Sequence, residues 1–242
     1  MFRAFQIFTI FMLLLISAVP MYSSVKVFDF ENDSDISSWT LRNATQDKLI
    51  RNTELYSSGK SSMQFISPAY KEGMEQWPAF EIKPVISDWK DYDRLVIDVI
   101  NPSNEMPDFY LHISDSKVPF REGLTYKFVL PGQGFKRLVI PLDSFPSTVN
   151  RSDISIMHFF CTTPRDMRLC LDNITLLKPG ESVPDDVEPL LVEKIAAWKS
   201  VVLKESLKNL ENIKKRYSPS DYEKDIVQDV MGPFNYIEKN IR

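Results

Sequence analysis

Glycine, cysteine and histidine are all scarce in this sequence of 242 residues, which contains 7 glycines, 2 cysteines and 2 histidines. Two cysteines with no histidine nearby at ligand spacing do not indicate a zinc site. No long block of one charge occurs either, since 29 basic and 33 acidic residues are spread along the chain. Nucleic acid is therefore not expected as a partner, because phosphate binding needs a concentrated basic surface.

Recognisable enzyme motifs are also missing. The sequence contains no G-x-S-x-G, G-x-x-x-x-G-K-S/T, G-x-G-x-x-G or H-E-x-x-H pattern. Its 33 acidic residues mean that counting alone does not exclude a glycosidase-type pair of carboxylates. The segment that could hold a catalytic barrel, residues 179–242, is much shorter than the roughly 250 residues that such a barrel needs.

The first 24 residues have the layout of a secretory signal peptide. Arg3 precedes an apolar run from Phe5 to Val19, and small and polar residues follow. The run is short for a membrane-spanning helix, although an uncleaved anchor stays an alternative. We therefore expect residues 1–24 to be a signal peptide and the protein to be secreted, periplasmic or bound at the cell surface.

Short strands are predicted throughout residues 25–178. Arg94–Ile100 alternates two sets of almost equally apolar residues, so this strand should be covered on most of both faces, and Asn101-Pro102 should end it. Many short strands separated by turn residues predict a mainly β fold, a sandwich or jelly roll. The predicted strands are Val25–Phe30, Ser62–Ser67, Ala79–Lys83, Arg94–Ile100, Phe109–Ser114, Thr125–Leu130, Arg137–Pro141, Ile156–Cys161 and Arg168–Leu177.

The two cysteines flank a segment that is predicted to form a hairpin. Cys161 and Cys170 enclose Thr163-Pro164-Arg165-Asp166, which would lie near the tip. In a symmetric hairpin they would face each other within disulfide distance, and an exported protein would permit the bond. Two buried thiols that behave as small apolar groups are an equally weighted alternative.

The sequence changes character after Pro179-Gly180. Residues 179–188 are predicted to be an acidic linker, and residues 189–242 show two stretches of helical spacing separated by Ser218-Pro219. We expect a helical hairpin there. Its apolar stripes are wider than one partner helix can cover, so we expect the tail to pack on the sandwich, on a second copy or on a downstream domain.

An ordered set of segments resembles a known family. FDFEND, SSGKSSMQF, DWKDYDRLVIDVINPS, LPGQGFKRLVIPLDSF and LCLDNITLL occur in that order between residues 28 and 177. The set resembles the galactose-binding-like β-sandwich carbohydrate-binding modules of secreted bacterial polysaccharide-degrading proteins, which often accompany a glycoside hydrolase domain. The resemblance implies a jelly-roll sandwich over residues 25–178 and does not extend to the tail.

The resemblance implies a structural calcium site. In such modules, acidic residues of the first strand often meet an aspartate of the last strand, and the matching residues here are Asp29, Glu31 and Asp172. Calcium prefers several oxygen ligands of this kind. The alternative is that Asp172 simply serves a turn or the solvent face.

The resemblance also implies a sugar-binding face. Sugar sites combine exposed aromatic rings with polar groups that satisfy hydroxyls. Trp39 and Trp89 are assigned to packing, and packing is also the alternative explanation for the candidates themselves. The candidate ligand-binding residues are Trp77, Tyr110, His112, Asp115, Phe120 and Arg121.

Three functions follow from these observations. The first is a secreted, non-catalytic module that binds a polysaccharide or oligosaccharide. The second is a structural or assembly protein in which the sandwich is a spacer and the helical tail binds a partner. The third is the accessory part of a glycoside hydrolase.

Overall fold

The described part of the protein contains eleven strands, arranged in two antiparallel sheets. The computed structural model describes residues 23–42, 48–67, 72, 77–117, 122–161 and 167–216. The elements are β1 (Val25–Phe28), α1 (Asp33–Ser37), β2 (Thr40–Arg42), β3 (Lys48–Asn52), β4 (Ser62–Ser67), β5 (Ala79–Ile82), β6 (Arg94–Asn101), β7 (Asp108–Asp115), β8 (Leu124–Val129), β9 (Gly134–Pro141), β10 (Ile154–Cys161), β11 (Met167–Leu177) and α2 (Pro189–Arg216). A short 3-10 turn at Leu142–Ser144 follows β9.

The two sheets differ in size and lie on either side of one apolar core. The first sheet has six strands in the order β3-β4-β11-β6-β9, with β1 pairing along the second half of β11. The second sheet has five strands in the order β2-β5-β10-β7-β8. Alternate residues of both sheets point into the shared core, as the pleat of a strand requires. The predicted β-sandwich is therefore confirmed.

Strand β6 is buried on both faces, as its sequence predicts. Leu95, Ile97 and Val99 point into the core, and Asp98 on the opposite face is also fully buried. The strand ends at Asn101, whose side-chain amide donates to the carbonyls of Glu105 and Pro131 at 2.8 and 3.0 Å. The chain then crosses to the second sheet as β7, which pairs with β10 and β8.

The tryptophans assigned to packing are confirmed in that role. Trp39 is 6% exposed and its ring lies between Phe28 and Phe80, with centroid distances of 5.3 and 5.7 Å. Trp89 is fully buried, and its indole nitrogen donates to the carbonyl of Ile86 at 2.7 Å. Both rings therefore stabilise the core and are closed to a ligand.

The hairpin predicted between the cysteines is wrong. Cys161 ends β10 in the second sheet, where it pairs with Phe109, whereas Cys170 lies on β11 in the first sheet, opposite Ile100. The consecutive strands β10 and β11 therefore belong to opposite sheets, and no disulfide joins the two buried thiols. Burial raises the pKa of the Cys170 thiol to about 12, so it behaves as a small apolar group.

The segment predicted as a linker is bound to the first sheet. We call residues 181–188 the strap. Arg94 donates to the carbonyl of Glu181, and Arg137 donates to the carbonyls of Pro184 and Asp186. The amide of Glu188 donates to the carbonyl of Ser57 at 2.9 Å. These contacts fix the strap along its length.

Beneath the strap, Arg137 forms a buried ion pair. Its Nε and Nη2 donate to the two carboxylate oxygens of Asp98 at 2.6 and 2.7 Å. The Asp98 carboxylate is fully buried and also accepts from the hydroxyl of Ser57 at 2.7 Å. Because Arg137 contacts both Asp98 and the strap, it joins the first sheet to the segment that follows it.

The C-terminal helix is the single helix described in the predicted hairpin. The chain divides into two compact units, residues 1–192 and 193–242, and α2 begins in the first and continues into the second. The second predicted helix lies outside the described residues, as do most of the predicted signal peptide and the Thr163–Asp166 tip. Among the helices described, none has the length and apolarity needed to cross a membrane.

Candidate functional site

One sheet surface gathers the aromatic and polar residues that a sugar site needs. The pleat of the second sheet directs alternate residues of β5, β10 and β7 away from the core, and we call this surface the outer face. The pairing of neighbouring strands brings outward residues from distant parts of the sequence side by side. The outward residues of these three strands are Ala79, Glu81, Ile156, His158, Phe160, Asp108, Tyr110, His112 and Ser114.

A stacked aromatic pair lies on the outer face. Tyr110 and Phe160 are direct cross-strand neighbours, and their rings stack with a centroid distance of 4.9 Å and an interplanar angle of 12°. Both residues are partly exposed. The ammonium of Lys127 lies 5.7 Å from the centre of the Tyr110 ring. Trp77 is half exposed and lies two residues before Ala79, the first residue of β5, which pairs with Phe160.

A chain of polar contacts runs across the same face. Nε of Arg42 donates to Oε1 of Glu81 at 2.6 Å, and Nδ1 of His158 lies 3.1 Å from Oε2 of the same carboxylate. An ionised carboxylate can only accept, so the histidine must carry its proton on Nδ1. Burial lowers the pKa of His158, although its contact with Glu81 opposes this shift. The histidine is therefore mainly neutral at neutral pH.

His112 lies on the predicted face but beneath its surface. It is fully buried, and its Nδ1 lies 2.9 Å from the hydroxyl of Thr125. A Cβ added to Gly123 would lie 2.5 Å from Cε1 of His112, so the loop before β8 covers the ring closely. Burial, and then the neighbouring His158, lower the pKa of His112 to about 4. This side chain supports the face and is closed to a ligand in this conformation.

The other predicted sugar-binding residues differ in exposure and in position. Asp115 is 4% exposed, and its two carboxylate oxygens accept from the amides of Lys117 and Asn150 at 2.7 and 2.6 Å. It therefore holds together the loops that follow β7 and precede β10. Phe120 and Arg121 lie outside the described residues. Trp77 and Tyr110 are the predicted residues that combine exposure with a place on or beside the outer face.

Two of the three carboxylates predicted to bind calcium contact backbone amides of one loop, residues 57–61. Asp172 accepts from the amides of Ser57 and Ser58 at 2.7 and 3.0 Å. Glu31 accepts from the amide of Lys60 at 2.8 Å and leaves no room for a Cβ at Gly59, whose φ is +70°.

The calcium site stays a prediction. The third carboxylate, Asp29, accepts from the amide of Glu31 at 3.2 Å. Burial raises the pKa of Asp172 to about 6, against the opposing effect of the hydrogen bonds from Ser57 and Ser58. Within the residues that the structure describes, no cluster of three or more His, Cys, Asp or Glu side chains could hold a metal ion.

Sequence reasoning missed four members of the outer face: Arg42, Glu81, His158 and Phe160. The strand sequence ISIMHFFC carries the signal for two of them, since its alternation places His158 and Phe160 on one side. Arg42 lies on a strand of three residues, which is too short to show a period. Glu81 appeared as an ordinary polar residue because its partners come from strands that are distant in sequence.

The fold is similar to that of solved carbohydrate-binding modules, and these comparisons bear on the fold alone. No family model and no curated protein sequence matches the chain. The solution structure of CtCBM11 matches with a TM-score of 0.50 at 17% identity, over 67% of this chain and 99% of that chain. An exo-beta-agarase matches with a TM-score of 0.50 at 15% identity, over 65% of this chain and 25% of that longer chain.

A third structure is a family 11 carbohydrate-binding module from Clostridium thermocellum in complex with a beta-1,3-1,4-mixed-linked tetrasaccharide. It has a TM-score of 0.49 at 16% identity, over 66% of this chain and 98% of that chain. The two matches with a TM-score of 0.50 confirm the predicted resemblance for the fold alone: the described residues form a β-sandwich similar to that of CtCBM11.

Proposed function

We propose that this protein is a secreted module that binds a carbohydrate chain on the outer face of its second sheet. The observation that carries the proposal is the stacked pair of Tyr110 and Phe160, with half-exposed Trp77 beside the same end of the sheet. Sugars present apolar C–H faces, and partly exposed aromatic rings are well suited to cover them. The fold shared with carbohydrate-binding modules is consistent with this role.

The ion pairs of the outer face favour binding over catalysis. Glu81 is held by Arg42, and Asp108 is held by Lys127 at 2.8 Å. A glycosidase needs one carboxyl group that is free to donate a proton and a second that attacks or activates water. Paired carboxylates at the rim of an aromatic surface serve better to orient side chains and to satisfy hydroxyls. Secretion is supported by the layout of residues 1–24.

Binding to a panel of saccharides tests the proposal. Cellotetraose, xylotetraose, neoagarotetraose and a mixed-linked β-glucan tetrasaccharide would be titrated into the protein and followed by calorimetry. We expect Phe160→Ala to weaken binding of the best ligand about tenfold, as truncation of a central aromatic contact does. Trp77→Phe should remove most of the ligand-induced change in tryptophan fluorescence, because Trp39 and Trp89 are buried and the fourth tryptophan, Trp198, lies on α2 and not on the outer face.

Ile50→Ala is the matched control. Ile50 is 41% exposed and lies on β3 of the first sheet, so its truncation should leave binding unchanged. If no saccharide binds, the proposed function is wrong. If binding survives Phe160→Ala but is lost in the control, the site lies on the first sheet instead.

Assembly through the C-terminal helix is a second candidate function. Within α2, six large apolar side chains are 43–55% exposed: Leu190, Val192, Val201, Val202, Leu203 and Leu207. Light scattering of the protein with and without residues 193–242 tests it. A dimer that becomes a monomer on truncation would support assembly, and a monomer in both forms would contradict self-association.

A further inference from the structure

The contact between Arg42 and Glu81 gives the arginine a defined orientation. Glu81 contacts Arg42 through Nε, and its other oxygen is occupied by His158. The side chain of Glu81 is 15% exposed, whereas that of Arg42 is 58% exposed. A guanidinium group is planar with its donors in a fixed fork, so a contact through Nε turns the Nη1–Nη2 edge away from Glu81. That edge presents two parallel N–H donors, one from each Nη atom, on a side chain that is 58% exposed.

Arg42 belongs to the same cross-strand row as the aromatic pair. The register places Arg42 opposite Ala79, Ala79 opposite Phe160, Phe160 opposite Tyr110 and Tyr110 opposite Lys127. Neighbouring strands are about 4.8 Å apart, so Arg42 lies about 10 Å from Phe160 and the whole row spans about 19 Å. The first distance is comparable with the length of two linked hexoses, and the second with a chain of four.

The charges at both ends of the row are locally neutralised. Arg42 is paired with Glu81, and Lys127 is paired with Asp108. A paired guanidinium keeps its directional donors but attracts a distant anion weakly, because the nearby carboxylate cancels most of its field. The row therefore suits the hydroxyl oxygens of a neutral sugar better than carboxylate or sulfate groups.

We propose that Arg42 is a specificity-determining residue of the outer face. Its Nη edge donates paired hydrogen bonds to vicinal hydroxyl oxygens of a neutral sugar that lies about two units along the chain from the sugar stacked on Tyr110 and Phe160. Glu81 and His158 are positioning residues that hold the guanidinium in this orientation. The inference rests on the proposed carbohydrate-binding function and adds the substrate class and the direction of the chain across the strands.

Ligand length and Arg42→Lys together test the inference. Lysine keeps the charge of Arg42 but lacks the planar fork. NMR titration, which also measures weak affinities, would compare each tetrasaccharide of the panel with its disaccharide. We expect Arg42→Lys to weaken tetrasaccharide binding about tenfold, the loss typical of hydrogen bonds to a charged group. The disaccharide, which needs only the aromatic pair, should bind both proteins equally. Arg168→Lys, at an exposed position of β11, is the matched control.

Glu81→Gln provides a second variant that keeps the size of the side chain. It removes the ion pair, so Arg42 loses its fixed orientation, and tetrasaccharide binding should weaken while disaccharide binding stays the same. Binding of the tetrasaccharide should also change less than twofold between low and moderate salt, since the ligand is neutral.

The outcomes separate the two proposals. Equal loss of both ligand lengths, or no loss in Arg42→Lys, would overturn the role of Arg42 while leaving the aromatic site intact. Tighter binding of a uronate or sulfated tetrasaccharide, lost at moderate salt, would overturn the neutral substrate class. Failure of every saccharide to bind the unaltered protein would instead reject the proposed function itself.

Discussion

Replacement of Arg137 by methionine should strongly destabilise the sandwich. Methionine keeps much of the side-chain length but leaves the carboxylate of Asp98, which is fully buried, without its cation. Removing one partner of a buried ion pair costs about 3–5 kcal/mol, because an uncompensated charge stays in the interior. For a domain of this size, each kcal/mol lowers Tm by about 2–4 °C, so we expect a fall of about 6–20 °C.

Thermal and urea unfolding, followed by circular dichroism, measure this loss. Arg168→Met is the matched control, since Arg168 is exposed on β11 and its loss should change the free energy of unfolding by less than about 0.5 kcal/mol. The double variant Arg137→Met with Asp98→Asn removes the buried charge as well. We expect it to be more stable than Arg137→Met alone.

The reasoning fails under two results. A loss below about 1 kcal/mol in Arg137→Met would mean that water or a rearranged side chain compensates Asp98 and that the pair is not buried in solution. A double variant as unstable as the sum of the single variants would mean that the two side chains act independently. Either result would also weaken the interpretation that Arg137 joins the first sheet to the strap.

Three further predictions follow from the same structure. A chain that ends at Lys178 should melt at a lower temperature than one that ends at Val192, because the shorter chain lacks the strap; equal melting would contradict a structural role for the strap. The pKa of His112 is about 4 instead of 6.5, so on acidification the unfolded chain binds the proton before the folded protein does, and the free energy of unfolding falls as the pH drops from 6.5 to 4. In urea unfolding over this range, the unaltered protein should lose at most about 3 kcal/mol more of this free energy than His112→Gln does. Equal losses in the two proteins would refute the buried, neutral histidine. The calcium prediction is checked by melting in chelator and in added calcium: a rise in Tm that Asp29→Asn removes would support it, and unchanged melting would count against it.

The alternation of apolar residues was sufficient to predict the sandwich. Burial of both faces of β6, the turn at Asn101 and the packing roles of Trp39 and Trp89 all followed from local pattern and turn chemistry. Such features depend on neighbours within a few residues, which is the range over which a sequence period can be read. The outward direction of Tyr110 and His112 was predictable for the same reason, although the depth of His112 was not.

The tertiary structure decided which strands are neighbours, and with them the composition of the site. Arg42, Glu81, His158 and Tyr110 come from four strands that are distant in sequence, and no local pattern specifies their register. The same limit explains the error at the cysteines, because consecutive strands pair as a hairpin only when both lie in one sheet, and β10 and β11 do not. The strap could not be predicted for a related reason. An acidic segment with proline has the composition of a linker, and its contacts come from Arg137, a residue distant in sequence that donates to its carbonyls.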